Sequence, residues 1–305
     1  MLIDNYEHVE DNVVYCPVNI PGIGADVTLF EEQFEGCQCL SSSSSSSSSC
    51  VADQCACQQR CGGSAYSQQG LLLFNDAGDA SSMVYECHEN CQCISNRSNG
   101  SGSVALCSNY VVQRGPHPDL EVFSAPSKGF YGLRCRKSLP RGKFVCEYAG
   151  EVIGGQEARR RYAAQQQQQQ HPLGGRNFIF ALRENFGSSA SCLTFIDATC
   201  IGSIGRYINH GCEPNLIVLP VRTDSSVPKL CLFTNQEIPA CTELCYDYAG
   251  GRTRYPPAPT PSSSSPSPAQ GSTMSSHLVG PNVCRCGSPA CRGFLPFDAS
   301  LGTSL

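Results

Sequence analysis

Ile204-Gly-Arg-Tyr-Ile-Asn-His-Gly-Cys-Glu-Pro-Asn215 is the stretch on which the reading of this chain turns. An apolar start delivers the polar pair Asn209 and His210 into a run of turn-formers, with Cys212 close behind. Gly211 and Pro214 interrupt regular structure, so the pair is held at the end of a short element beside a thiol. Alone, Asn-His at such a place is more often a cap or a satisfied core pair than part of a functional site. Downstream, Glu243-Leu-Cys-Tyr-Asp-Tyr-Ala-Gly250 spaces Tyr246 and Tyr248 two residues apart. On a strand such residues share a face, so both rings can line one pocket, although packing is the commoner use of such a pair.

The chain around these stretches has 305 residues, 40% apolar and 15% charged, enough for one or two domains with a real core. Its net charge of −5 suits a basic partner and does not indicate direct nucleic-acid binding. No apolar run approaches the length of about 18 residues that a membrane span needs, and the N-terminus is acidic where a signal peptide would be basic. A soluble, intracellular protein with no membrane partner is expected.

In a reducing compartment the 22 cysteines read as thiols, and their tight spacings favour zinc over disulfides. Cys37, Cys39, Cys50, Cys55 and Cys57 form one group, and Cys87, Cys91, Cys93 and Cys107 a second. Nine thiolates satisfy three tetrahedral ions if three of the nine each bridge two metals, so a trinuclear cluster is allowed by arithmetic. Its expected role is structural, letting a segment poor in large apolar residues fold. A third group, Cys284, Cys286 and Cys291, lacks one ligand, for which Cys212 is the candidate. Cys61, Cys135, Cys146, Cys231 and Cys245 lie mostly in apolar runs and read as small buried hydrophobes.

Ser41 to Ser49, Gln165 to Gln170 and Pro256 to Ser276 read as insertions without structure of their own. From Leu120 to Tyr248 short β-rich runs alternate with Gly, Pro and Asn, predicting several short strands, among them runs starting at Leu120, Phe144, Phe178 and Lys229. Gly155 to Gln170 is the longest helical candidate, with Arg159, Arg160 and Arg161 marking a solvated face. Neither a dinucleotide-binding glycine motif nor a Walker loop occurs.

Together, the cysteine-rich segment, the R-Y-I-N-H-G-C-E-P-N run, the E-L-C-Y-D-Y run and the terminal C-x-C-x4-C resemble the pre-SET, SET and post-SET parts of SET-domain protein-lysine methyltransferases. The resemblance implies a β-rich α+β SET fold of several small curved sheets with a knot-like crossing, flanked by zinc-thiolate segments. It divides the chain into an N-terminal segment (1–36), a pre-SET zinc-cluster domain (37–115), a SET catalytic domain (116–250), a Pro/Ser-rich insertion (251–280) and a post-SET zinc segment (281–305). It also implies three zinc ions in the pre-SET part and a fourth held by Cys212 with Cys284, Cys286 and Cys291. Asn209 and His210 match the pair that binds S-adenosyl-L-methionine, joined by Arg206 and by the glycine motif Lys128, Gly129, Phe130, Tyr131 and Gly132. Tyr248 matches the catalytic tyrosine, with Phe178 beside it in the channel, and Tyr246 the position that limits the number of methyl groups.

The implied reaction is methylation of a lysine in the histone H3 tail or a nucleosome, in the nucleus and on chromosomes. Lysine 36 is favoured, with lysine 4 or 9 as others, and mono- or dimethylation is expected. The sequence departs from the family pattern at four places: two residues separate Gly129 from Gly132 where one is usual, Gly211 replaces a serine, Phe178 replaces a tyrosine, and 13 residues separate Cys93 from Cys107 where three are usual. These departures lead to an expectation of reduced activity, and to the alternative of a catalytically weak SET-like zinc-binding chromatin module.

Overall fold

Short β-rich runs punctuated by turn-formers become short strands, as the sequence pattern predicts. The computed structural model describes residues 8–39, 50, 55–80, 83–95, 107–128, 130–167, 177–186, 190–249, 283–296 and 299–302. The serine run, the end of the glutamine run from residue 168, the Pro/Ser run and Gly129 lie outside the described residues. In chain order the strands are β1 (Val14–Tyr15), β2 (Ile20–Pro21), β3 (Val84–Tyr85), β4 (Leu120–Ala125), β5 (Phe130–Cys135), β6 (Phe144–Tyr148), β7 (Gly150–Ile153), β8 (Ile179–Phe186), β9 (Ala190–Gly202), β10 (Asn209–His210), β11 (Leu216–Arg222), β12 (Lys229–Thr234) and β13 (Glu243–Tyr246). They form three small sheets, ordered β1-β9-β7-β2 with β8 also on β9, β10-β13-β5-β4, and β3-β11-β12-β6. Helices are few: α1 (Thr28–Glu31), α2 (Ala56–Gln59), α3 (Gln92–Ser95), α4 (Gly155–Gln167) and α5 (Ala299–Gly302). The expected architecture of several small sheets with little helix is present, and α4 occupies the predicted helical stretch. No helix among the described residues is long and apolar enough to cross a membrane.

The strand β12 shows how the core is partitioned. Successive side chains of a strand point to opposite faces, and here both faces are covered. Leu230 and Leu232 enter the core shared with β5 and β13, packing with Leu133, Ile208, Leu244 and Tyr246. Cys231 and Phe233 enter a second core, with Tyr66, Val84 and Phe144, on the side of the cysteine-rich segment. This burial on both faces explains why β12 reads as a continuous apolar run without alternation.

Residues 8–21 are tied to the strands that follow. β1 pairs with the end of β9 at Val14↔Ile201, and β2 with β7 at Ile20↔Glu151. His8 contacts the Tyr207 hydroxyl and the Gly202 carbonyl, each at 3.0 Å.

One arginine of α4, Arg161, departs from the expected solvated face. Arg160 is exposed and pairs with Glu157, but Arg161 turns inward and reaches Glu151 at 2.6 Å, Glu157 at 2.8 Å and Asp197 at 2.9 Å. One guanidinium thereby ties the helix to β7 and β9, because its fork of donors serves several carboxylates at once.

A second ion pair lies deeper. Arg222 of β11 and Glu184 of β8 form two parallel hydrogen bonds of 2.8 and 2.9 Å, with both side chains less than a tenth exposed. Removing one partner of a buried pair strands the other charge. Glu184→Ala is therefore expected to lower the unfolding free energy by about 3–5 kcal/mol in urea titrations of the purified chain. A loss below about 1 kcal/mol, the range of a surface pair, would contradict this placement.

Candidate active site and thiolate centres

The site is assembled where β10 runs parallel to β13, with Asn209 opposite Cys245 and His210 opposite Tyr246. The 3₁₀ turn Ile204–Tyr207 delivers the polar pair to this position, capped by the Ser203 side chain, which accepts the Gly205 N–H. Both protons of the Asn209 amide are engaged, one by the Tyr131 carbonyl and one by Glu243 Oε1, each at 3.0 Å. His210 is buried, which pushes its pKa below the usual imidazole value and keeps the ring neutral. Its Nδ1 accepts the Tyr248 N–H at 3.2 Å, so the imidazole orients the chain at Tyr248.

Beyond His210 the aromatic side chains make one continuous wall. The rings of Tyr246 and Tyr248 lie 4.8 Å apart, Phe180 is 6.1 Å from Tyr246, and Tyr148 is 6.0 Å from Phe180. The expectation that Tyr246 and Tyr248 share a strand face needs correction, because β13 ends at Tyr246 and Tyr248 lies in the turn that follows. The turn still brings the rings together. The Tyr248 hydroxyl donates to the Ile208 carbonyl at 3.0 Å, and the Tyr148 hydroxyl donates to the Phe178 carbonyl at 2.6 Å. Burial holds the phenols of Tyr148 and Tyr246 well above the ordinary tyrosine pKa, so this wall is neutral. Phe178 lines it from just before β8, with Arg206 stacked 4.4 Å from its ring centre.

Arg206 is occupied within the fold. Its guanidinium donates to the Ala198 and Thr199 carbonyls and pairs with Glu10. Lys128 reaches Glu243 at 2.6 Å, on the same side as Asn209. Sequence reasoning missed Tyr148, Phe180, Glu243 and the Ile208 carbonyl. Tyr148 sits in a run read only as a strand, and a carbonyl carries no sequence signal at all.

Two expected departures look different in the structure. The extra residue near Gly132 leaves β4 and β5 in one unbroken register, from Leu120↔Cys135 to Ala125↔Phe130. Gly211, expected only to lose a hydroxyl, faces Cys245: a Cβ there would lie 2.6 Å from the Cys245 sulfur. The small residue is matched to its neighbour, and Cys245 is half-buried where a fully buried hydrophobe is expected. Cys61 likewise is only half-buried, and its sulfur accepts the Tyr85 N–H.

The thiols gather as their spacing suggests. Sulfurs of Cys37, Cys57, Cys87 and Cys91 lie within 4.8 Å of one another, as do those of Cys37, Cys39, Cys50 and Cys55, and those of Cys37, Cys50, Cys87 and Cys93. Cys107 joins through a 3.5 Å contact with Cys50. Cys212, Cys284, Cys286 and Cys291 form a separate group of the same tightness. Individual sulfur contacts of 3.7 Å, such as Cys57 to Cys91 and Cys212 to Cys284, are far longer than a disulfide of about 2.05 Å. They match the edge of a tetrahedron with Zn–S bonds of about 2.3 Å. Backbone N–H groups point at these sulfurs, from His88 to Cys91 at 3.2 Å and from Arg292 to Cys212 at 3.4 Å, as suits thiolate. All the donors are soft sulfurs and the groups are closed, so they fit structural zinc.

Aromatic rings therefore run on from a buried histidine and an amide at the β10–β13 pair, beside a group of four thiols. The SET domain model matches residues 131–249 and the Pre-SET motif residues 2–99. Histone-lysine N-methyltransferase SETMAR of Mus musculus is 37% identical over 94% of this chain and 82% of its own length. The crystal structure of the methyltransferase domain of human SETMAR superposes with a TM-score of 0.69 and 31% identity, covering 95% of this chain and 91% of that one. Arabidopsis thaliana SUVH6, solved in complex with SAM, gives a TM-score of 0.62 at 25% identity, covering 97% of this chain and 52% of that one. The chain belongs to the SET-domain histone-lysine N-methyltransferases and is an S-adenosyl-methionine-dependent enzyme.

The fit between Gly211 and Cys245 can be tested directly. Gly211→Ser is expected to destabilise the chain by about 1–3 kcal/mol through overpacking, and Gly211→Ser with Cys245→Ala to recover most of that loss in thermal unfolding. A single variant as stable as the parent would contradict the contact.

Proposed function

We propose that this enzyme methylates a lysine of the histone H3 tail, with lysine 36 the first choice and lysine 4 or 9 the others, and that it stops at one or two methyl groups. The observation that carries this reading is the neutral aromatic wall of Tyr148, Phe178, Phe180, Tyr246 and Tyr248 meeting Asn209 and His210 at the β10–β13 pair. The histone-lysine methyltransferase relatives support it, and so does the net charge of −5, which favours encounter with a Lys/Arg-rich tail. A chromatin substrate implies work in the nucleus, on chromosomes.

Bound S-adenosyl-methionine would supply a methyl group on a sulfonium, held by Lys128, Gly129, Phe130, Tyr131, Gly132, Asn209 and His210. Arg206 would act behind them, keeping Phe178 and the Tyr207 segment in place. Residues of the chain do the rest of the work by orientation and exclusion of water. The lysine side chain must be neutral to attack, and burial between Tyr246, Tyr248 and Phe178 lowers its pKa from about 10.4. The Tyr248 hydroxyl donates to the Ile208 carbonyl, and its oxygen would stabilise a polarised methyl by C–H hydrogen bonds. Tyr246, buried and next to Tyr248, narrows the channel around the amine and so limits how many methyl groups fit.

Zinc would be structural. Three ions would be held among Cys37, Cys39, Cys50, Cys55, Cys57, Cys87, Cys91, Cys93 and Cys107. Cys212, Cys284, Cys286 and Cys291 would hold a fourth ion.

Methyl transfer to H3 and to nucleosomes, read by mass spectrometry of the modified lysine, tests the proposal. Tyr248→Phe is expected to lower kcat by at least about 100-fold without altering zinc content. Tyr246→Phe is expected to add trimethylated product. Site-specific methylation at an H3 lysine supports the reading, and methylation of no H3 lysine contradicts it. Metal analysis should give four zinc ions per chain, and chelation should abolish both activity and the cooperative thermal transition; two or fewer ions would overturn the bridging arrangement.

A further inference from the structure

Glu243 stands where three segments meet. It opens β13, and its backbone is held by pairing with Arg134 of β5 and by the Asn215 side chain, which donates to the Glu243 carbonyl at 2.8 Å. Its carboxylate faces the other way. One oxygen takes the Lys128 ammonium at 2.6 Å, from the turn between β4 and β5, and the other accepts from the Asn209 amide of β10 at 3.0 Å. Room for this carboxylate comes from Gly132, where a Cβ would lie 3.2 Å from Glu243 Oε1 and 2.9 Å from the Phe123 ring. A glycine on β5 and an acid on β13 therefore form one device.

We propose that Glu243 is a positioning residue for cofactor binding, setting the spacing of Lys128 and Asn209 and fixing which way the Asn209 amide points. The inference rests on the reading of Lys128, Asn209 and His210 as a wall of the S-adenosyl-methionine site. Both Asn209 amide protons are committed, to Glu243 and to the Tyr131 carbonyl, so its free group is the carbonyl oxygen. An acceptor so oriented matches the ammonium of an amino-acid end. Lys128, with one of its three donors on Glu243, keeps others for a carboxylate. The ion pair cancels the charge of both partners, so a zwitterionic ligand meets a site that is neutral but polarised in a fixed sense. Lys128 and Glu243 are about a fifth exposed, so their pairing contributes little to overall stability and its effect falls on the site.

Calorimetric titration of S-adenosyl-methionine into the full chain tests this, with Glu243→Gln, Asn209→Ala and the double variant beside the parent. Glutamine keeps the shape but turns an NH₂ toward one of two donors. Glu243→Gln is expected to weaken binding about 10-fold and to raise KM for the cofactor in parallel, with kcat at saturation within about 3-fold of the parent and an unchanged thermal midpoint. Because both residues act through one contact, the double variant should be much less impaired than the product of the single losses. Parent-like affinity in Glu243→Gln, or losses that multiply, would overturn the proposal. Parent-like affinity in Asn209→Ala would instead overturn the reading of the cofactor wall on which it rests.

Discussion

Two residues of parallel pairing, Asn209 against Cys245 and His210 against Tyr246, are the contact on which the rest of the site depends. Parallel neighbours need a long connection, and here β11 and β12 lie between the paired strands in the chain. Those intervening strands form the wall behind the site, with Leu230 and Leu232 buried beneath Tyr246. The pairing thus brings polar groups from one segment and phenols from another to a single point, with a core under both. Cys212 follows β10 within two residues, so the thiolate group that recruits Cys284, Cys286 and Cys291 also anchors this junction. Arg292, next to Cys291, extends the anchor by pairing with Asp247 at 3.1 Å, in the turn between Tyr246 and Tyr248.

The cysteine-rich segment shows the same logic in a region short of apolar residues. Its buried cluster consists of Cys37, Cys50, Cys55, Cys57, Cys87, Cys91, Cys93 and Cys107, with Cys39, Ile94 and Tyr110 packed around them. Such a centre excludes water but offers too little hydrocarbon to offset the ordering of its loops. Zinc held by these thiols would supply the difference, on the order of 10 kcal/mol per structural ion in small domains. The second core, from Tyr66 to Phe233, then joins this segment to β12 and through it to the floor of the active site.

Local features of sequence carried much of this. The cysteine spacings, the N-H-G-C run and the Y-D-Y run named the thiolate groups and the polar pair, because these residues act within short stretches whose types are distinctive. What escaped depends on contacts between distant segments. Tyr148 and Phe180 join the aromatic wall only when β6 and β8 are brought near Tyr246. Glu243 acquires its role from Lys128 and Asn209, 115 and 34 residues away in the chain. Arg161 looked solvated because its three carboxylate partners include Glu151 and Asp197, which lie on β7 and β9. Gly211 looked like a loss until Cys245 was found where a side chain would have gone.

Amide hydrogen exchange of the zinc-loaded chain, with and without S-adenosyl-methionine, tests the central claim that the β10–β13 junction is the cofactor wall. Protection should concentrate in the peptides that carry residues 128–135, 207–213 and 243–249, and should leave β8 and α4 unchanged. Protection confined to other segments, in a preparation that transfers methyl groups, would contradict the account.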